Sequence, residues 1–136
     1  MEHLRFKSER EEREWAMEGK LCPKLIVVLA DLVERRWTLL KQESVVTCIF
    51  RSFAENRGIG GTSNTHCEWR AVDIRVDPTQ LFVEMAIRVA LNERWPTGVA
   101  KMPRIPPLDH GTALHYHVQV TRDEGRARLS TRKETT

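Results

Sequence analysis

Two segments alternate apolar and polar residues with the two-residue period of a β-strand: WRAVDIRV (residues 69–76) and LHYHVQV (residues 114–120). Successive strand side chains point to opposite faces. Val72, Ile74 and Val76 therefore share one face of the first segment, and Leu114, Tyr116, Val118 and Val120 share one face of the second. Asp73 falls on the opposite face with Trp69 and Ala71, and His115, His117 and Gln119 fall on the opposite face of their own strand. Each strand must turn its apolar face to a covering layer of helices, which leaves a carboxylate and imidazoles on the other side. If the two strands are neighbours, Asp73 and His117 converge.

The covering helices are legible around these strands. Pro23 suits a first helical turn, and Leu25, Val28, Leu29, Leu32 and Trp37 follow at 3-to-4 spacing. Asp77-Pro78-Thr79-Gln80 reads as a helix start with Asp77 as cap and Gln80 at the capping-box position. That helix is expected to run to about Arg94, burying Leu81, Met85, Val89 and Leu91. Residues 44–51 (SVVTCIFR) read as a further strand. Residues 2–18 are dense in Glu and Arg, with Leu4, Phe6, Trp15 and Met17 scattered among them and Glu11 and Glu14 at helical spacing from arginines, and predict a solvated helix. The glycine-containing stretch 52–65 and the proline-containing stretch 96–112 read as loops. The fold class expected is α+β, a small antiparallel sheet with helices packed on one face. One domain is expected over residues 1–122, with 1–20 as a helical extension and 123–136 as a flexible basic tail.

Bulk properties exclude several functions. The chain has 136 residues and a formal net charge of +3. Its basic residues are spread out and interleaved with acids, unlike the clustered Lys and Arg of a nucleic-acid binder. The longest apolar run, LIVVLA (residues 25–30), is too short to span a bilayer. The charged N-terminus lacks the apolar core of a secretory signal, so synthesis in the cytoplasm is expected, with any action on a cell wall following release. The odd count of cysteines, Cys22, Cys48 and Cys67, reads as free thiols. Cys67 adjoins His66, but neighbouring residues point different ways and rarely grip one ion together.

His66, at the end of the glycine-containing loop, joins Asp73 and His117 as a chemically pointed set. Two imidazoles and one carboxylate are the protein ligands of a catalytic zinc ion, whose fourth position is left to water. The competing reading makes the histidines scattered surface residues and Asp73 a salt-bridge partner of Arg70 or Arg75.

At these residues the chain resembles the zinc D-Ala-D-Ala carboxypeptidases and phage L-alanyl-D-glutamate endopeptidases, a group that includes lysostaphin-like enzymes and the hedgehog signalling domain. Their first motif is Ser-x-His-x-x-Gly-x-Ala-x-Asp. Here the run is Asn64-Thr65-His66-Cys67-Glu68-Trp69-Arg70-Ala71-Val72-Asp73. Ligands and alanine match, while Asn64 replaces the serine and Trp69 the glycine. The resemblance spans roughly residues 23–120 and implies a hedgehog/DD-peptidase-like fold. It also implies zinc held by His66, Asp73 and His117, with Arg51 holding substrate. Many relatives place a glutamate base three residues before the last ligand, where this chain has Leu114. His115-Tyr116-His117 matches instead the His-x-His version, which makes His115 the acid/base or oxyanion-stabilising residue. Glu68, Asp109 and His110 are alternative bases or ligand-orienting groups. The implied activity is hydrolysis of amide bonds in peptidoglycan stem peptides by a monomeric phage or prophage lysis enzyme. The alternative is an inactive relative that keeps the metal and binds a partner.

Overall fold

In the computed structural model, described over residues 1–60, 64–95, 99–101 (backbone only) and 114–121, the apolar faces of the strands meet two long helices. Helix α2 (Pro23–Leu40) begins on Pro23 as expected and ends on Lys41 in the left-handed conformation. Its stripe of Leu25, Val28, Leu29 and Leu32 is fully buried. It packs against Val46, Val72, Ile74, Tyr116 and Val118 from the sheet.

Five strands are described: β1 (Leu4–Phe6), β2 (Ser44–Cys48), β3 (Ala71–Arg75), β4 (Val99–Lys101) and β5 (His115–Gln119). Their order across the sheet is β1-β2-β3-β5-β4. The β2–β3 and β3–β5 pairs are antiparallel, as expected. Strand β4 pairs antiparallel with β5 although Val99–Lys101 falls in the stretch expected as a loop, where the free edge of β5 gives it a partner. The edge pair departs from the expectation of an antiparallel sheet: β1 runs parallel to β2, so the sheet is mixed. Residues 4–6 therefore belong to the sheet and not to an N-terminal helix. Leu4 and Phe6 pack against the core, and this burial outweighs the helical charge pattern around them.

Helix α1 (Glu9–Ala16) is shorter than the predicted one, and Glu11 and Glu14 are buried where a solvated face was expected. Ser8 Oγ donates to Glu11 at 2.6 Å, and Glu14 accepts from Arg10 Nε at 3.1 Å and from the Phe50 amide at 3.3 Å. The stretch expected as a loop holds helix α3 (Phe53–Gly58), opened by a capping box in which Ser52 and Glu55 satisfy each other's backbone amides. The Ser-x-x-Glu pattern at residues 52–55 is a sequence sign of this start.

Helix α4 (Leu81–Arg94) follows a single 3-10 turn, Pro78–Gln80, with Asp77 as its cap through Thr79. Its buried residues are Glu84, Ile87 and Leu91; Val89, expected in the core, is exposed. Glu84 is buried because it meets Arg36 of α2, with Nε and Nη2 each donating at 2.9 Å. Tyr116 Oη donates to Glu84 Oε1 at 2.9 Å and to its carbonyl at 2.6 Å, and the Asp77 amide donates to Oε2 at 2.7 Å. This network ties α2, α4 and β5 together behind the histidines of β5, and burial next to Glu84 pushes the Tyr116 hydroxyl pKa well above its ordinary value. The expected basic tail from residue 123, most of the proline-containing loop, Asp109 and His110 lie outside the described residues.

Candidate metal centre

Asp73 is buried on β3, on the face away from the core, directly opposite His117 of β5. Its Oδ1 lies 3.0 Å from His117 Nδ1 and 3.1 Å from His66 Nε2. His66 enters from the turn at residues 65–69, and its ring meets that of His117 edge-on at 5.0 Å. The three expected ligands thus come together around one carboxylate oxygen.

The outer side of each imidazole decides what the inner side can do. His66 Nδ1 lies 3.0 Å from the Ile49 carbonyl, which can only accept, so Nδ1 carries the proton. His117 Nε2 lies 2.9 Å from Gln119 Oε1 and 3.2 Å from Thr65 Oγ1. Donation from Nε2 to Gln119 leaves His117 Nδ1 as the unprotonated atom of a neutral ring. Each neutral imidazole then aims a lone pair at Asp73 Oδ1, an arrangement that requires a positive charge among them. A proton supplies it in part. Burial disfavours a charge on His66, but the Asp73 carboxylate and Cys48 beside it override burial and raise its pKa to about 10. Burial likewise opposes ionisation of Asp73, while the hydrogen bonds that His117 and His66 donate in their protonated forms hold its carboxyl far below the usual range. A divalent cation supplies the charge more fully, and outward hydrogen bonds of this kind are what orient metal-binding imidazoles.

The other oxygen of Asp73 has its own partners. Oδ2 lies 3.5 Å from Arg51 Nη2 and 3.6 Å from His115 Nε2. Arg51, expected to hold substrate, also donates from Nε to Cys48 Sγ at 3.3 Å and from Nη1 to Asn56 at 3.2 Å. It braces the cluster from α3's side. Glu68, an alternative base, is turned to Arg70, with Nε donating at 3.2 Å. Asp73 is paired with neither Arg70 nor Arg75, the partners of the competing reading.

Cys48 is the member that sequence reasoning missed. Its sulfur and the ligand atoms of His66 and Asp73 all lie within 4.8 Å of one another. Bond lengths of a tetrahedral zinc site place donor atoms roughly 3.3–3.8 Å apart. The 4.8 Å bound on Cys48, His66 and Asp73 accommodates that spacing, and their thiol, imidazole and carboxylate are donors zinc takes. His117 stands outside this group of three and reaches it through Asp73 Oδ1 at 3.0 Å. Cys67, weighed as a soft ligand from its neighbour His66, is not the cysteine of this group.

A cleft of about 240 Å³ opens beside the cluster, lined by Lys7, Thr47, Cys48, Asp73, Arg75, Leu114 and His115. Two cationic side chains thus stand with Asp73 and His115 at its wall. Trp69, at the glycine position of the motif, sits in the left-handed region at φ 58°. Its ring stacks on Phe50 at 4.7 Å, and its carbonyl accepts from the Cys22 amide.

No family model, no curated protein and no solved structure matches the chain. Among the described residues, no helix is long and apolar enough to cross a membrane.

Proposed function

We propose that this chain is a zinc-dependent hydrolase that cleaves amide bonds in peptidoglycan stem peptides. The observation that carries the reading is the meeting of His66 Nε2 and His117 Nδ1 on Asp73 Oδ1, with the far nitrogen of His66 committed to a backbone carbonyl. Two further features support it. The motif that the chain resembles has glycine at residue 69, and the backbone there is in the region that glycine favours. The cleft beside the cluster carries Lys7 and Arg75, which suit a peptide rich in carboxylates.

His66, Asp73 and His117 would hold the ion. Bound there, zinc supplies Lewis acidity and brings the pKa of water down to about 7. The chain's own groups do the rest. His115 lies on the cleft wall beside Asp73, where it accepts a proton from water or donates to a developing oxyanion. Arg51 and His115 stand 3.5 and 3.6 Å from Asp73 Oδ2, so Oδ1 is the oxygen that would be left to hold the ion. Lys7 and Arg75 draw in a substrate carboxylate.

A second reading, a metal-holding relative without turnover, is favoured by one feature: Leu114 stands where many relatives of that group carry a glutamate base. Metal analysis of the purified chain, with mass spectrometry of muropeptides after incubation, separates the two. One zinc per chain and newly cleaved stem peptides, both lost in His117→Ala, are expected. Zinc without cleavage moves the assignment to the second reading. Cleavage that persists in chelator overturns the metal mechanism.

A further inference from the structure

Resting on the zinc reading above, we infer that the Cys48 thiolate is a fourth protein ligand of the same ion, closing the site until it is displaced. The backbone is what brings the sulfur there. In a regular strand Cys48 would share a face with Ser44 and Val46, both buried. The β2–β3 register instead pairs Val46 with Ile74 and Cys48 with Asp73, a shift across the intervening residue. Such an irregularity re-aims a side chain. Here it turns Cys48 out of the core sequence of β2 and onto the face that bears Asp73. Thr47 Oγ1 approaches the Asp73 carbonyl at 3.4 Å and spans the same irregularity.

Once on that face, the sulfur lies within 4.8 Å of the ligand atoms of His66 and Asp73, and Arg51 Nε donates to it at 3.3 Å. Thiolate is the ligating form of cysteine, and a guanidinium hydrogen bond suits a negatively charged sulfur. Softness also favours the match, since thiolate with imidazole selects zinc over magnesium or calcium. Zinc sites with four protein ligands are closed, whereas catalytic ones keep a place for water. Cys48 lines the cleft with Asp73 and His115, so its sulfur is on the side from which substrate arrives. With His117 joining through its place beside Asp73, a site of Cys48, His66, Asp73 and His117 would be a resting form, and departure of the thiolate would open the position that hydrolysis needs.

Cobalt substitution of the full chain tests this without any assay of turnover. The expected spectrum has visible ligand-field bands together with a near-ultraviolet sulfur-to-cobalt charge-transfer band. Cys48→Ser should lose the charge-transfer band and keep the ligand-field bands, while Cys67→Ser keeps both. Bound cobalt without the charge-transfer band, or a band that disappears with Cys67 instead, overturns the role of Cys48 and leaves the hydrolase reading standing. Failure to bind cobalt or zinc at all removes both. Should Cys48→Ser fold poorly, the wild-type chain answers through alkylation mapped by mass spectrometry. Zinc should slow modification of Cys48 roughly tenfold or more by masking the thiolate, and an unchanged Cys48 rate on a zinc-loaded chain overturns the inference.

Discussion

Asp73 and His117 stand directly opposite each other on β3 and β5, and the imidazole Nδ1 lies 3.0 Å from the carboxylate Oδ1. Register alone makes this contact. A slip of one residue would send one of the two side chains to the core face. The apolar set Val72, Ile74, Tyr116 and Val118, all buried, holds that register. Core packing on one face of the sheet thus positions the candidate site on the other.

Gln119 orients the His117 ring by accepting from Nε2 at 2.9 Å. Gln119→Ala should weaken zinc binding by about 10–100-fold, the usual effect of losing a group that orients a metal-binding imidazole. Competition against a chromophoric chelator measures it. An unchanged affinity would mean that Thr65 alone orients the ring.

Trp69 holds a left-handed backbone that costs a side-chain-bearing residue about 1–2 kcal/mol, and it also contributes its stack on Phe50. Both Trp69→Ala and Trp69→Gly lose the stack, and only the glycine variant escapes the backbone penalty. The glycine variant should therefore be the more stable of the two by about 1 kcal/mol. Urea unfolding midpoints at constant slope give the difference, and equal midpoints would contradict a strained residue 69.

Glu84 and Arg36 form a buried bidentate pair. Glu84→Ala leaves a buried guanidinium without its counter-charge and should cost about 3–5 kcal/mol. Replacing both partners, Arg36→Met with Glu84→Leu, should cost less than the sum of the single changes because no orphan charge remains. Denaturant titration of the three variants tests this; strict additivity would deny the coupling.

Glu55 is surface-exposed, and hydrogen bonds from Arg10, aided by the Ser52 backbone, lower its pKa to about 2. A carboxylate whose pKa is depressed on folding adds stability above its unfolded value, here 4.5, and loses it as pH falls toward 2. The melting temperature of the wild type should exceed that of Glu55→Gln at pH 6, and the gap should close between about pH 4.5 and 2. A gap that stays constant with pH would show that the Arg10 contact does not set this ionisation.

The alternation in residues 71–76 and 114–120 determined, without any structure, which side chains face the core and which face the site. Trp69, read as part of the same strand on the Asp73 face, instead lies in a turn and packs against the core. His66, Asp73 and His117 were legible as a set, and so were the start of α2 on Pro23 and the cap at Asp77. These features are local, because period, turn chemistry and ligand type are written in neighbouring residues. Tertiary structure decided the remainder. Leu4–Phe6 became a parallel edge strand because a neighbour was there to pair with it and its apolar side chains could be buried. Glu84 entered the core because Arg36, 48 residues away in the chain, supplies the opposite charge. Cys48 joined the cluster because the β2–β3 register shifts beside it. Strand alternation alone assigns that cysteine to the core, and only the pairing of one strand with another reveals that it faces Asp73.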